Sequence, residues 1–207
     1  SSRVYSIQSL RNLVNSLNLV KPLKNNKKIN ESFETELPSS LYGFSKLSSE
    51  KLIREFSYMY KISYLINRFG VIAGPWQFGK QDQGFVPLWV AKHLFKSKLS
   101  YIGFGGKGNQ KRDVIHIDDV CEIILIQIKK MRKIFNETFN IGGGVKNTIS
   151  LKQLTEKCER LTKNKLVIGK QEKTSMFDIP TYISDNDKMR KFYKKKQKKS
   201  IDNVLYD

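Results

Sequence analysis

Tyr42 and Lys46 stand four residues apart in Tyr42-Gly-Phe-Ser-Lys46, near the start of a segment whose apolar positions repeat at helical spacing. On a helix that spacing projects both side chains from one face, about 5–6 Å apart at Cβ. A phenol with a pKa near about 10 is a poor base at neutral pH, and a neighbouring ammonium favours the phenolate. Together they form a pair that can move a proton to or from a hydroxyl. Taken alone, the same spacing also fits an exposed amphipathic pair.

Two glycine clusters invite phosphate chemistry and fail on context. Gly103-Phe-Gly105-Gly-Lys-Gly108 has the three glycines of a dinucleotide loop, but Asn109-Gln-Lys-Arg-Asp113 leads into a strand where a helix N-terminus is required. Gly74-Pro-Trp-Gln-Phe-Gly79-Lys80 matches a phosphate loop up to its lysine. There Gln81 replaces the magnesium-holding hydroxyl, and Asp82-Gln83-Gly84 starts a helix poorly. Both clusters read as loops that let backbone approach a ligand closely. No His, Cys, Asp and Glu grouping has metal-ligand spacing, so no metal is expected. His116, on a short apolar strand, reads as a satisfied core histidine, and His93, beside Lys92, as solvated. Trp76, Phe78, Phe85 and Trp89 gather near the first glycine loop, where they either stack on a base or sugar or fill a core.

The elements that must position these residues alternate between strand and helix. Val4-Tyr5 reads as a strand end, and Leu10, Leu13, Val14 and Leu17 as a short helix before a loop from Lys24 to Asn30. Pro38 with Ser39-Ser40 opens a helix to Tyr60, and Ile62 to Phe69 is a strand. Gly70 to Gly84 reads as loop, Phe85 to Phe95 as helix, Leu99 to Phe104 and Asp113 to Ile117 as strands. Asp118-Asp119 caps an apolar helix to Met131, Thr138 to Ile141 is a strand, and Ser150 caps a helix to Thr162. This alternation predicts an α/β fold, a doubly wound and largely parallel sheet.

The chain of 207 residues is 39% hydrophobic, enough for a substantial core, and contains no apolar run near the roughly 20 residues of a membrane span. Cys121 and Cys158 both fall in helical segments, which predicts buried, reduced thiols and a cytoplasmic protein. The balance of 38 basic to 19 acidic residues raises nucleic acid as a competing partner. Most lysines are scattered, however. In the dense run Lys188 to Lys199, Met189, Phe192 and Tyr193 interleave with the cations, so docking of a short helix on a substrate domain is expected. The opening Ser1-Ser-Arg-Val-Tyr5 reads as the start of a fragment, and Ser200 to Asp207 as an N-capped turn that stops short of a full helix.

Four segments in order resemble the extended short-chain dehydrogenase/reductases, the NAD-dependent sugar-nucleotide epimerases and dehydratases. Tyr42 and Lys46 fill the family's Tyr-x-x-x-Lys pair. Ser1-Ser-Arg-Val-Tyr5 resembles the segment that carries the catalytic hydroxyl, placing that role on Ser1 with Ser2 as alternative. Arg68-Phe-Gly-Val-Ile-Ala-Gly74-Pro75 is similar to the strand exit beside the nicotinamide ring, and Gly108 to Val120 to the loop and strand whose arginine binds a nucleotide diphosphate. Phe139-Asn-Ile-Gly-Gly143, the Ser150 helix and Asp178 to Asp185 also fall in the family order.

The resemblance implies NAD as cofactor, bound by Tyr42, Lys46, Gly70 and Val71, with catalysis by Tyr42, Lys46 and Ser1. It implies a nucleotide-sugar substrate held by Gln77, Gln83, Gln110 and Arg112, and a homo-oligomer in the full-length parent, with neither nucleic acid nor membrane as partner. Residues 1–73 and 113–145 then belong to the NAD-binding domain, and 74–112 and 146–207 to the substrate domain. The glycine-rich first turn of the family would lie upstream of Ser1, so this stretch alone is expected not to hold NAD. Gly74-Pro-Trp-Gln77, Asp82-Gln83-Gly84 and Gln110-Lys-Arg112-Asp113 most resemble the CDP-paratose 2-epimerase branch, which implies epimerisation at C2 of a CDP-linked dideoxyhexose. A 4-epimerase or a 4,6-dehydratase is the sister reading; the dehydratase requires an Asp-Glu pair where Ser2-Arg3 stand. Two positions depart from the pattern: Val71 replaces a common substrate-binding asparagine, and Ser175, three before Asp178, replaces a common arginine.

Overall fold

The computed structural model of the chain describes residues 1–18, 27–80, 83–131 and 136–207. A 3-10 turn at Ser2–Val4 precedes helix α1, Ile7–Asn18, and the long helix α2 spans Ser40–Tyr60. The strand end read at Val4-Tyr5 is therefore a turn. Ser1 Oγ accepts the Arg3 amide at 3.2 Å, the local bond by which serine draws backbone away from a ladder. Of the α1 positions, Leu10 is buried, while the side chains of Val14 and Leu17 lie outside the described ones, as do Lys24 to Asn26 of the next loop. That loop ends in a bridge between Ile29 and Ser184.

Strands β1, Leu65–Phe69, and β2, Val71–Ala73, follow α2, and β2 corrects the loop read from Gly70 to Gly84. Helix α3 is Phe85–Leu94, and β3, Leu99–Ile102, stops two residues early because Phe104–Gly106 turns as a 3-10 segment. Next come β4, Lys111–His116, α4, Ile117–Lys130, and β5, Glu137–Ile141. The cap of α4 is His116, whose ring accepts the Asp118 amide, while Asp118 and Asp119 occupy the first turn. After β6, Thr148–Ser150, helix α5, Leu151–Thr162, begins with a full capping box between Ser150 and Gln153. The chain continues through β7, Ile168–Gln171, β8, Thr181–Tyr182, α6, Asp187–Tyr193, and α7, Ile201–Tyr206.

β1 and β5 pair in parallel, from Leu65 opposite Glu137 to Phe69 opposite Ile141. β2 lies parallel to β4, which also carries β8 in parallel and β6 antiparallel. β3 and β7 form a separate parallel pair. The apolar interior falls into groups that follow this division. Trp89, Leu99, Val114, Leu154 and Cys158 join α3, β3, β4 and α5. Tyr5, Leu10, Leu47, Ile179 and Tyr182 join the N-terminal turn to α2 and β8. Ile115, Ile123, Phe139, Ile141, Met189 and Tyr193 lock α4 and α6 onto β4 and β5.

The tail helix docks, as expected, and the surface it meets is that of β5 and α4. Cys158 is buried and its thiol is pushed up to about 12 by burial, whereas Cys121 is exposed, contrary to the expectation of two buried thiols. Among the described residues no helix is long and apolar enough to cross a membrane.

Candidate active site

The first turn of α2 is pressed against the Ser2–Val4 turn at Gly43. A Cβ there would overlap the Arg3 carbonyl oxygen, so only glycine permits the approach. On either side of that contact α2 presents Tyr42, 48% exposed, and Lys46, also exposed, with the Lys46 Nζ 5.4 Å from the centre of the Tyr42 ring. Ser1 is tied to β1 through its backbone nitrogen, 3.4 Å from the Asn67 oxygen. Its Oγ accepts the Arg3 amide, which leaves the hydroxyl hydrogen to donate elsewhere. Phenol, ammonium and hydroxyl thus hang on one rigid frame of turn, helix and strand.

A buried ion pair holds that frame together. Arg68 on β1 meets Glu50, one helical turn beyond Lys46, at 2.7 Å, with both side chains under a tenth exposed. Arg68 also donates to the Glu31 oxygen at 3.2 Å and lies over the Tyr5 ring at 5.0 Å. Tyr5 in turn donates to Asn140 Oδ1 on β5 at 2.6 Å, so the network spans α2, β1, β5 and the N-terminal segment.

Gly70 and Val71 lie at the exit of β1 and the start of β2, both half-buried. Gly70 faces Asp113, a fully buried carboxyl whose Oδ2 accepts the Gly144 amide at 3.0 Å and the Ser184 amide at 3.1 Å. Burial raises the Asp113 pKa against those bonds. Gly142 is required here as well, because a Cβ would overlap Asp113 Oδ2 and Ser184 Oγ. The role of Asp113 as the knot joining β4 to two loops was hidden in sequence, where it reads only as the start of a strand.

On the other side, Gln77 and Gln83 are exposed in the loop before α3, and Asp82 lies outside the described residues, as does Gln81. Trp76 and Phe78 are 93% and 86% exposed, so they are not core, whereas Trp89 is buried and donates to Thr155 Oγ1 at 2.9 Å. Gln110 donates its amide to the Ile102 oxygen at 3.0 Å, and its own oxygen is buried without a partner. Arg112 donates to the Ile179 oxygen at 2.8 Å and to Asp178 Oδ1 at 3.2 Å. Burial lowers its pKa to about 10, with Asp178 opposing and Arg3 reinforcing. The structure sets Lys46 beside Tyr42 on the part of α2 whose Gly43 packs on the turn that follows Ser1, while Arg112 and Gln110 stand on and beside β4.

His116 is fully buried, with Nε2 donating to Asp207 at 2.9 Å and Nδ1 accepting the Asp118 amide at 3.0 Å, as a satisfied core histidine should. His116, Asp118 and Asp207 bring ligand atoms within 4.8 Å of one another, a grouping their sequence spacing conceals. Lys199 already lies between the two carboxylates, at 3.4 and 3.0 Å. His93 is fully buried and not solvated, because α3 packs on α5 along that face; its Nδ1 lies 2.7 Å from the Trp89 oxygen. Within the basic run, Lys195 and Lys198 pair with Glu122, Lys188 with Glu137, and Arg190 with Asp187. The Lys198 and Lys199 amides bind Asp119, so the run is tied down on the acidic start of α4.

A parallel α/β sheet with a Tyr-x-x-x-Lys helix packed beside a hydroxyl-bearing turn is the architecture of a short-chain dehydrogenase/reductase. Residues 20–142 match the NAD dependent epimerase/dehydratase family, and the chain belongs to it. It is similar to the CDP-paratose 2-epimerase of Salmonella typhi, 29% identical over 117 residues, which are 56% of this chain and 35% of that protein. It is also similar to the dTDP-glucose 4,6-dehydratase of Xanthomonas campestris pv. campestris (strain B100), 34% identical over 106 residues, 51% of this chain and 28% of that one. Among solved structures, the UDP-glucose 4-epimerase of Thermotoga maritima with UDP-glucose superimposes with a TM-score of 0.71 at 25% identity, over 87% of this chain and 56% of that one. The chain thus spans no more than 35% of the length of these two curated relatives.

Proposed function

We propose that the full-length protein is a nucleotide-sugar epimerase that uses NAD to oxidise and re-reduce one ring carbon, C2 of a CDP-linked sugar such as CDP-paratose. The observation that carries this reading is the Tyr42–Lys46 pair held against the Ser1 turn by Gly43. The residues present fit the nicotinamide-ribose end of the cofactor: an exposed ammonium beside a phenol, with half-buried Gly70 and Val71 at the exit of β1. When bound, NAD⁺ supplies a hydride acceptor that takes and returns hydrogen at the sugar carbon.

Lys46 donates to the ribose hydroxyls and sets a positive field on Tyr42, which takes the proton of the sugar hydroxyl and later gives it back. Ser1 donates its free hydroxyl hydrogen to the same oxygen and stabilises charge developing there. Gln77 and Gln83 contact the sugar side. Arg112 holds the diphosphate with its fork of N–H donors, helped by Gln110 once that amide leaves the Ile102 oxygen. Between the two half-reactions the keto sugar turns, so stereochemistry inverts with no net redox change.

The interleaved division into an NAD-binding part, 1–73 with 113–145, and a substrate part, 74–112 with 146–207, is supported by the separate β3–β7 pair. Docking of α6 on β5 crosses it. Assembly of like chains is supported by Leu52, Ile53, Phe56 and Met59, which α2 leaves exposed. A cytoplasmic setting is supported by two free thiols, and the absence of a nucleic-acid role by the internal pairing of the basic run.

Incubating the full-length protein with CDP- and UDP-linked hexoses and reading the products by NMR tests the assignment. A CDP-sugar inverted at C2 is the expected product. Inversion at C4 would reassign the carbon, and a 4-keto-6-deoxy product would make the protein a dehydratase.

A further inference from the structure

Three guanidinium groups from distant parts of the sequence converge on one short turn, residues 175–179. Arg3 donates to the Phe177 oxygen at 3.0 Å, and Arg11 donates to the Ser175 oxygen at 2.9 Å and to the Asp178 oxygen at 2.7 Å. Arg112 reaches the same turn at the Ile179 oxygen and the Asp178 carboxylate. Among the described residues, Asp178 is the one carboxylate in ion-pair contact with any of the three. Asp113 acts on Arg112 from farther off, so three guanidinium groups outnumber the carboxylates around the turn and leave it positive, the sign that attracts a diphosphate.

The three differ in what they have free. Arg11 is stapled to the backbone through Nε and Nη2. Arg112 engages both terminal nitrogens, and its side chain is 17% exposed. Among the described residues Arg3 makes a single side-chain hydrogen bond, at a solvent-exposed position, so most of its fork is open to them. Its backbone also links the two halves of the site: the Arg3 amide caps onto Ser1 Oγ, and its carbonyl oxygen is the atom against which Gly43, next to Tyr42, is packed. Arg3 therefore stands between the reacting hydroxyls and the arginine-rich turn.

We propose that Arg3 is a diphosphate ligand, closing with Arg112 on the pyrophosphate linkage of the nucleotide sugar from the side of the reaction centre. The proposal rests on the nucleotide-sugar reading and gives a binding role to a residue that in sequence spoke only against a dehydratase. The open fork of Arg3 adds charge-assisted, paired hydrogen bonds that Arg112, whose terminal nitrogens are already engaged, cannot provide alone.

The test is calorimetric titration of the full-length protein with CDP, UDP and cytidine. Arg3→Gln should weaken CDP and UDP binding by about 10- to 100-fold, the range for losing hydrogen bonds to a charged group, and leave cytidine binding unchanged. Arg3→Lys, which keeps the charge and loses the fork, should fall between. Adding Ser175→Arg to Arg3→Gln should restore much of the lost affinity, because that side chain starts two residues from the carbonyl Arg3 holds; damage to folding would not be rescued this way. Unchanged CDP affinity in Arg3→Gln, alongside a loss in Arg112→Gln, would overturn the role of Arg3 and leave the nucleotide-sugar reading in place. Failure of the unmodified protein to bind CDP or UDP would overturn both.

Discussion

Tyr42→Phe lowers turnover of the full-length protein by about 10²- to 10⁴-fold, the usual contribution of a positioned acid–base group. Nucleotide-sugar affinity stays close to that of the unmodified protein, because the ring and its contact with Lys46 remain. The split follows from the proposed role of the hydroxyl: it contributes to the barrier for moving the sugar's proton and little to holding the nucleotide, which is assigned to Arg112 and Arg3. Steady-state rates together with direct binding measure both halves. Turnover within about threefold of the unmodified protein would remove Tyr42 from the chemistry, and equal losses of turnover and binding would make it a structural residue.

Glu50→Ala is the second large effect, and it falls on stability. Removing the carboxylate strands the Arg68 guanidinium in a site where both partners are under a tenth exposed. Breaking one side of a buried pair costs about 3–5 kcal/mol, because the remaining charge stays desolvated and unpaired. In guanidinium titrations of the protein the midpoint therefore drops sharply, while the double variant Glu50→Leu with Arg68→Met recovers most of the loss by removing both charges. A double variant as unstable as Glu50→Ala would mean that the Arg68 bond to the Glu31 oxygen and its packing on Tyr5 carry the stability instead.

Much of this site could be read from residue types. The helix spacing of Tyr42 and Lys46, the long α2 and the alternation of strand with helix all report themselves through local periodicity and capping. The misreadings have physical causes. β2 and β8, of three and two residues, are too short to show alternation and exist because β4 offers them hydrogen bonds. His93 looked solvated beside Lys92, but the face it shares with Trp89 is set by α5, far along the chain. In sequence Arg3 counted only as a departure, standing with Ser2 where a dehydratase carries Asp-Glu. Its meaning comes from Phe177, 174 residues away, and no local pattern carries that information. Asp113 is legible only once Gly70, Gly142, Gly144 and Ser184 surround it.

The most direct test of the central claim, that this site oxidises and restores a single sugar carbon, is an isotope experiment with the full-length protein. CDP-paratose carrying deuterium at C2 is incubated in ordinary water until epimerisation reaches equilibrium, and the label is located by NMR. The account predicts a product inverted at C2 that keeps its deuterium, because the hydrogen leaves and returns without meeting solvent. A product that has exchanged deuterium for solvent hydrogen at C2, or recovery of the substrate unchanged, would contradict it.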